Sequence, residues 1–243
     1  MLVGVPAMVL IAGSVYQQAT KFSYSVHYKM IVEVETPDGI VYGSAVHRIG
    51  NSTPSIQMPD VGNPGDVQGE AVVVDLGERG VLFALISHHS DNLFYDAFPL
   101  PGRADGQGGS TEAGMRHHAS LPLGAEGVLD PAEPPGYPKL VKFNDINDPK
   151  SVTLVQVWSR GKGGRYYLEE DRMEELFGEG VKLKSINMEI TDAPLTNGKV
   201  EQYLPWLKDL ASKDARLNGS TSASISTNDL ADNLGSRSFS NLY

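Results

Sequence analysis

The sequence predicts a mainly β fold of the α+β class: an antiparallel sheet or sandwich of hairpins with two or three short helices. Three observations predict it. Residues 22–34 alternate between apolar and polar side chains, residues 36–39 form a turn sequence, and two apolar runs flank a second turn at 77–80. Alternation with a period of two is typical of a strand that has one buried face. An apolar segment precedes these strands, and we expect it to form a helix.

That segment, residues 1–20, is predicted to be a membrane anchor or a signal-like helix. Leu2 to Tyr16 carries only apolar and small residues. As a helix it would be about 22 Å long against a hydrocarbon core of about 30 Å, and only extension to Thr20 approaches a full crossing. A signal peptide would add a basic start and an A-x-A cleavage site, which the segment lacks. A buried helix or strand of the core is the remaining interpretation.

An anchor of this kind places the protein in the envelope. In a Gram-negative bacterium we expect it in the inner membrane, with the domain facing the periplasm. The alternative is secretion to the periplasm after signal cleavage. Lys21 and Lys29 follow the segment, and such charges favour the cytoplasmic side, but two lysines are few.

The first hairpin is predicted by its alternation and its turn. Even positions 22–34 are apolar or aromatic and odd positions are polar with one exception, Ile31. In Thr36-Pro37-Asp38-Gly39, the proline fixes φ and the glycine is free to take a positive φ. The return strand runs from Ile40 to Ile49. Within it, Gly43 indicates a bulge or a close approach of two backbones.

A second hairpin follows the loop predicted at 50–69. Glu70 to Leu76 and Val81 to Ser87 are continuous apolar runs separated by Gly77-Glu78-Arg79-Gly80. Continuous hydrophobicity predicts strands that are buried on both faces. We expect this hairpin to form the centre of the sheet.

Residues 88–150 form a long region that is rich in Gly, Pro, Asp and Ser. Irregular segments of this length are uncommon in compact domains and tend to be functional or disordered. We therefore expect any site to lie here. A short helix at Ser110 to Ser120 is the one regular element that its composition allows.

The last third returns to strands and helices. Ser151 to Trp158 and Val181 to Thr191 are predicted strands, and a shift in the apolar phase predicts a bulge near Lys184-Ser185. Short helices are predicted at Glu169 to Phe177 and from Pro205. Residues 21–217 would then be a single β-rich domain. The Ser-, Thr- and Asn-rich tail at 218–243 is predicted to be disordered.

Several parts of the chain together resemble a group of uncharacterised bacterial proteins. They are the N-terminal apolar segment, Glu35 to Gly39 with Gly43-Ser44 after it, and the block Phe143 to Val152. In that group a similar block is followed by Phe-Gly-x-Gly-Val-x-Leu, here 177–183, and by Ile-Thr-Asp, here 190–192. The resemblance implies a bacterial, membrane-anchored protein. It implies no activity and no catalytic residues.

Charge and composition exclude some classes of function. The formal net charge is −10 and the basic residues are scattered, so the basic stripe of a nucleic-acid-binding protein is missing. The chain has no cysteine, which excludes disulfides, thiolate zinc sites and a cysteine nucleophile.

Two histidine pairs within the long region are the main candidate metal ligands. They are His88, His89, His117 and His118. Imidazoles bind zinc and similar metals, and Asp91, Asp96 or Glu112 would complete a site. The spacing matches no H-E-x-x-H signature, however, and neighbours in an extended chain point to opposite faces. Solvated loop histidines are the simpler interpretation.

Three other motifs are weaker. Asn144 to Asp148 is rich in oxygen ligands but lacks the order of a calcium loop, and Asx turns explain it more simply. Gly161 to Gly164 has amides that would suit a phosphate, yet a hairpin tip accounts for them. Ser44 lies three residues before His47 but not in a G-x-S-x-G motif.

We expect a membrane-tethered accessory or binding protein of the envelope, without catalytic activity and without a cofactor. It would contact the membrane through 1–20 and a protein partner through 88–150 or the tail, and it would not bind nucleic acid. The alternative is a metal-dependent hydrolase that uses the paired histidines and zinc or a similar metal.

Overall fold

The structure is a computed structural model and describes residues 20–54, 65–86, 90–103, 108–133, 136–221 and 229–242. The predicted N-terminal anchor, apart from its last residue, lies outside the described residues. Among the helices that are described, none combines the length and the apolarity that crossing a bilayer requires.

The first hairpin is confirmed and is longer than predicted. Strand β1 spans Thr20–Thr36 and β2 spans Gly39–Pro54, in antiparallel register with Thr36 opposite Gly39. The Thr36 hydroxyl accepts a hydrogen bond from Asp38 N at 3.2 Å and donates one to Gly39 O at 2.8 Å. Gly39 has φ of +124°, which an L side chain rarely adopts. The turn chemistry therefore fixes the register of the hairpin.

This hairpin is the middle of a five-stranded antiparallel sheet, which we call sheet 1. Its other strands are β3 (Asp66–Gln68), β6 (Glu126–Val128) and β11 (Lys182–Thr191), in the order β3-β2-β1-β11-β6. Opposite β1, the register shifts so that Glu33 pairs with Ser185 and Val34 with Leu183. Lys184 is the extra residue, which confirms the predicted bulge.

Sheet 2 has four antiparallel strands in the order β4-β5-β7-β8. They are β4 (Val72–Asp75), β5 (Val81–Ala84), β7 (Leu140–Phe143) and β8 (Val152–Leu154). A 3₁₀ turn at Gly77–Arg79 joins β4 to β5, as the glycine-containing turn predicted. One face of sheet 2 packs against sheet 1, and the other packs against the C-terminal helices. The prediction that β4 and β5 are buried on both faces is therefore confirmed. The expectation that they form the centre of the sheet is wrong, because β4 is an edge strand of sheet 2 and the first hairpin occupies the middle of sheet 1.

Sheets 1 and 2 approach each other closely at Gly43. A Cβ atom at this position would lie 2.1 Å from the carbonyl oxygen of Val73 in β4. Only glycine allows this contact, which confirms the close approach that the sequence predicted.

A two-stranded ribbon extends beside the sheets. It consists of β9 (Gln156–Arg160) and β10 (Tyr166–Asp171), and helix α3 (Met173–Phe177) follows it. The sequence predicts a helix from Glu169, and this boundary is wrong, since Glu170 and Asp171 still pair with β9. The helix begins only where Met173 and Phe177 can be buried in the core.

The long region 88–150 is more regular than predicted. Its described part contains helix α1 (Ser90–Ala97), helix α2 (Glu112–Ala119) and the strands β6 and β7. Helix α1 is held by buried apolar residues such as Leu93 and Phe94. Helix α2 confirms the short helix predicted near 110–120, and the Thr111 hydroxyl caps it by accepting from Gly114 N at 3.2 Å.

The C-terminal part differs most from the prediction. Helices α4 (Lys199–Tyr203), α5 (Leu207–Ser212) and α6 (Leu230–Asn233) bring the described helices to six, rather than two or three. In place of a disordered tail, the described residues 218–221 and 229–242 fold onto sheet 2. Few apolar residues suffice because they are well placed: Ala231, Leu234 and Phe239 are buried. The Phe239 ring packs 5.9 Å from the ring of Phe83 in β5.

Candidate functional site

The candidate site is a cleft of about 520 Å³. Its lining comes from β3 with Gly65, from Leu85 and Ile86 after β5, from Asp91 in α1, from Lys139 before β7, and from residues within 233–241. This volume lies within the range of about 300–1,000 Å³ that is typical of ligand pockets. The cleft lies where the end of sheet 1 meets the C-terminal segment.

Asp91 forms the buried acidic end of the cleft. It lies in the first turn of α1 and is only 7% exposed. Its Oδ2 atom accepts a hydrogen bond from Gly65 N at 3.0 Å, which holds α1 against the start of β3. Buried carboxylates usually have a cation as a partner. Among the residues that the structure describes, none supplies a Lys, Arg or His ion pair to Asp91.

Three tyrosines lie around this carboxylate. Burial raises the pKa of Tyr24, Tyr28 and Tyr95, and the negative charge of Asp91 adds to the rise in each. All three phenols are therefore neutral at physiological pH. The Tyr95 hydroxyl accepts from Asn51 Nδ2 at 3.3 Å, whereas the fully buried Tyr28 hydroxyl has no hydrogen-bond partner among the described residues.

The basic side of the cleft is made by Lys139 and Arg237. Lys139 is exposed, and no ion pair to its ammonium group is found among the described residues. Arg237 lies 3.7 Å from Asp214, and its side chain is 74% exposed. The cleft thus carries opposite charges from different chain segments.

The C-terminal segment builds one wall of the cleft through backbone hydrogen bonds. Ile86 N donates to Ser238 O at 3.0 Å, and Ala71 N donates to Phe239 O at 2.7 Å. Asn241 closes the outer edge of β3, because its side chain donates to Val67 O at 2.6 Å and accepts from Gly69 N at 2.9 Å. The position of this wall therefore depends on the packing of Phe239.

The histidine pairs are only partly covered by the structure. His88 and His89 lie outside the described residues. His118 is fully buried, and its Nε2 atom bonds Phe98 O at 2.9 Å. Its Nδ1 atom is also buried, and the ring stacks on Tyr95 at 5.2 Å. In this position His118 offers no nitrogen to a metal that arrives from solvent.

His118 is therefore a core histidine as it lies in α2. Burial lowers its pKa to about 4, so the ring is neutral at physiological pH. His117 is half-buried beside it. Of the carboxylates expected to complete the site, Glu112 pairs with Arg116 at 2.8 Å. No group of three or more His, Asp or Glu side chains within the described ranges is arranged to hold a metal ion.

The weaker motifs have structural roles. Asp145 and Asp148 accept hydrogen bonds from Asn147 N and Lys150 N, both at 2.9 Å, which are the Asx turns expected. At the ribbon tip, Gly161 N donates to Arg165 O at 2.8 Å, as in a hairpin turn.

Ser44 and His47 do not form a catalytic pair. They are three positions apart along β2, so their side chains point to opposite faces of sheet 1. His47 is instead buried, and burial lowers its pKa to about 4.

Sequence reasoning found Asp91 only as a possible metal ligand and missed Lys139 and the C-terminal wall. One available signal was the helical spacing of Leu230, Ala231 and Leu234 within a polar tail. No pattern in the sequence links Asp91 to Lys139, because packing alone brings these segments into one cleft.

Comparison with known proteins adds no further assignment. No family model, no curated protein and no solved structure matches this chain.

Proposed function

We propose that this chain is a non-enzymatic binding protein of the bacterial envelope, tethered by its N-terminal apolar segment, and that the cleft beside Asp91 is its binding site. The cleft is the observation that carries the proposal. Both segments that the sequence identifies for partner contact contribute to it: Asp91 and Lys139 belong to 88–150, and residues within 233–241 belong to the tail.

The chemistry of the lining favours binding over catalysis. It combines a buried carboxylate, an exposed lysine, side-chain amides and an apolar floor of Leu85 and Ile86. A few polar groups over an apolar surface are what small-molecule sites have in common. The tether is supported by the apolar composition of residues 2–16 and by the resemblance to membrane-anchored proteins.

Ligand binding is tested by thermal unfolding of the full chain in detergent against a panel of chemically varied small molecules. At 100 times Kd, a ligand adds about 2.7 kcal/mol, which raises Tm by about 5–10 °C for a chain of this size. The variant Gln68→Trp, on the wall of the cleft, should abolish the shift. The control Glu126→Trp, on the exposed edge strand β6, should retain it. A panel in which no compound raises Tm would overturn the proposal.

The tether is tested by cell fractionation. Val9→Arg/Leu10→Arg places two charges in the apolar run, where each costs about 2.5–3.5 kcal/mol at the centre of a membrane helix. We expect the variant to leave the membrane fraction and the control Gln17→Arg to remain in it. Equal membrane association of both variants would contradict tethering by this segment.

A further inference from the structure

Among the described residues, none supplies a counter-charge to Asp91, which lines the cleft. Asp91 is only 7% exposed, and among the described residues its carboxylate accepts a hydrogen bond from the uncharged amide of Gly65. Burying a carboxylate is costly unless a cation or several donors compensate it. Because Asp91 lines the cleft, a ligand is positioned to supply the missing cation.

The surroundings of Asp91 favour an ammonium group over a metal ion. The hydroxyl of Tyr95 lies beside Asp91, since a Cβ atom at Gly65 would be 2.7 Å from Tyr95 Oη and 2.9 Å from Asp91 Cβ. A single carboxylate suits an organic ammonium ion, whose N–H groups donate charge-assisted hydrogen bonds to it. A calcium or magnesium ion requires about six oxygen ligands and usually more than one carboxylate.

A second, opposite charge lies in the same cleft. Lys139 is exposed and forms no ion pair among the described residues, so its ammonium group is available to an anion. Arg237, on the C-terminal wall, is mostly exposed and only weakly paired. A purely anionic ligand would be repelled by Asp66 and Asp91, and a purely cationic ligand by Lys139 and Arg237. A ligand that carries both charges satisfies both sides.

We propose that the cleft binds a zwitterionic amino acid or short peptide, with its ammonium group at Asp91 and its carboxylate toward Lys139. This inference rests on the proposed function, because it assigns a ligand class to the same cleft. The floor of Leu85 and Ile86 would contact the apolar part of the ligand.

The test is isothermal titration calorimetry of the full chain in detergent. The probes are the free amino acids and a set of tripeptides with varied side chains, each tripeptide also as its N-acetyl and its C-terminal amide form. At least one zwitterion should bind, and the blocked forms should bind about ten- to a hundredfold more weakly, the range of a hydrogen bond to a charged group. Binding by tripeptides but not by amino acids identifies a peptide site, and the reverse result identifies an amino-acid site.

Two variants locate the charges. Asp91→Asn keeps an acceptor for Gly65 N but removes the negative charge, and Lys139→Met removes an exposed positive charge. Each variant should bind the zwitterion about tenfold more weakly or worse. Acetylation of the ligand's amino group should then have no further effect on Asp91→Asn, and amidation of its carboxylate should have none on Lys139→Met. The matched controls Asp145→Asn and Lys150→Met lie on the exposed turn at 145–151 and should bind as the wild type does. If Asp91→Asn does not fold, the affinity of Lys139→Met for the free and the blocked tripeptides still tests the proposal.

The outcomes separate the two proposals. Equal affinity for free and blocked tripeptides, or unchanged affinity in both variants, overturns the zwitterion and leaves the binding function in place. The same holds if no zwitterion binds while another compound of the thermal panel does. If no compound binds in either experiment, both proposals fail.

Discussion

His47 and Glu70 are joined by a buried hydrogen bond in which the His47 Nε2–H donates to the Glu70 carbonyl oxygen at 2.7 Å. Because a carbonyl oxygen only accepts, the proton of the neutral ring lies on Nε2. The Glu70 carboxylate in turn accepts from Gly198 N at 2.8 Å and from Lys199 N at 3.0 Å. Through Glu70, strand β2 is thus connected to the start of helix α4.

Removing the Glu70 carboxylate should destabilise the fold. Glu70→Ala leaves the amides of Gly198 and Lys199 without an acceptor, and we expect a loss of about 1–3 kcal/mol in the free energy of unfolding. Glu70→Gln keeps one acceptor oxygen and should lose less. Urea denaturation measures both, with Glu78→Ala on the exposed 3₁₀ turn as the control. A Glu70→Ala variant as stable as the control would show that α4 does not depend on this contact.

The buried histidines make stability depend on pH. Burial lowers the pKa of His47 and of His118 to about 4 in the folded state, against about 6.5 in the unfolded chain. The unfolded state therefore binds more protons between these values, so stability falls as the pH decreases from about 6.5 to about 4. Each histidine contributes about 3 kcal/mol to this fall, at about 1.4 kcal/mol per pKa unit.

Urea denaturation at pH 7 and pH 4.5 checks this prediction. The variants His47→Gln and His118→Gln should each lose less stability on acidification than the wild type. The variant His117→Gln, at the half-buried neighbour of His118, should follow the wild-type curve more closely than either of them. A wild-type free energy of unfolding that is equal at the two pH values would contradict the buried, neutral state of both rings.

The packing of the tail is tested by Phe239→Ala. The Phe239 side chain is fully buried between Phe83 and Phe143, with ring centroids 5.9 Å and 5.8 Å away. Truncating a buried phenylalanine costs about 3–5 kcal/mol. The neighbouring exposed residue supplies the control, Arg237→Ala, which should change stability by less than about 0.5 kcal/mol. If the two variants melt alike, the tail is not part of the core.

The contact between the sheets is tested by Gly43→Ala. The added methyl group would lie 2.1 Å from Val73 O, so β2 and β4 must separate. Overpacking of this kind costs about 1–3 kcal/mol. At Gly161 an added Cβ would be 3.5 Å from its nearest neighbour, an ordinary contact, so Gly161→Ala should have little effect. Thermal unfolding of both variants gives the comparison, and equal Tm values would refute the close approach.

The sequence predicted an element correctly where residues that are neighbours in the chain determine it. The alternation in β1, the turn at Thr36 to Gly39 and the bulge at Lys184 each follow from residues that are close in sequence. The described part of the tail, 218–221 and 229–242, was mispredicted because composition averages over residues. Burial of three apolar side chains against sheet 2 holds this segment in place although most of its residues are polar. They are Ala231, Leu234 and Phe239.

The candidate site was harder to predict because its residues come from distant parts of the sequence. Asp91, Lys139 and Arg237 are far apart in sequence, and each is an ordinary charged residue in its own neighbourhood. They come together because the C-terminal segment covers sheet 2. No periodic pattern in the sequence indicates that contact. For His118 the sequence favoured a solvated loop residue, with a metal ligand as the alternative, and the structure instead places the ring, fully buried, in the core.

The position of Phe239 also bears on how the chain folds during synthesis. Strand β1 pairs with β11, which ends at Thr191, and the described residues that cover the outer face of sheet 2 lie between Val200 and Phe239. The core of sheet 1 therefore cannot close before β11 has left the ribosome, and the outer core of sheet 2 cannot close before Phe239 has left it. Contacts between such distant segments form slowly. Strand β5 therefore keeps its outer face exposed until Phe239 has been synthesised and can pack against Phe83.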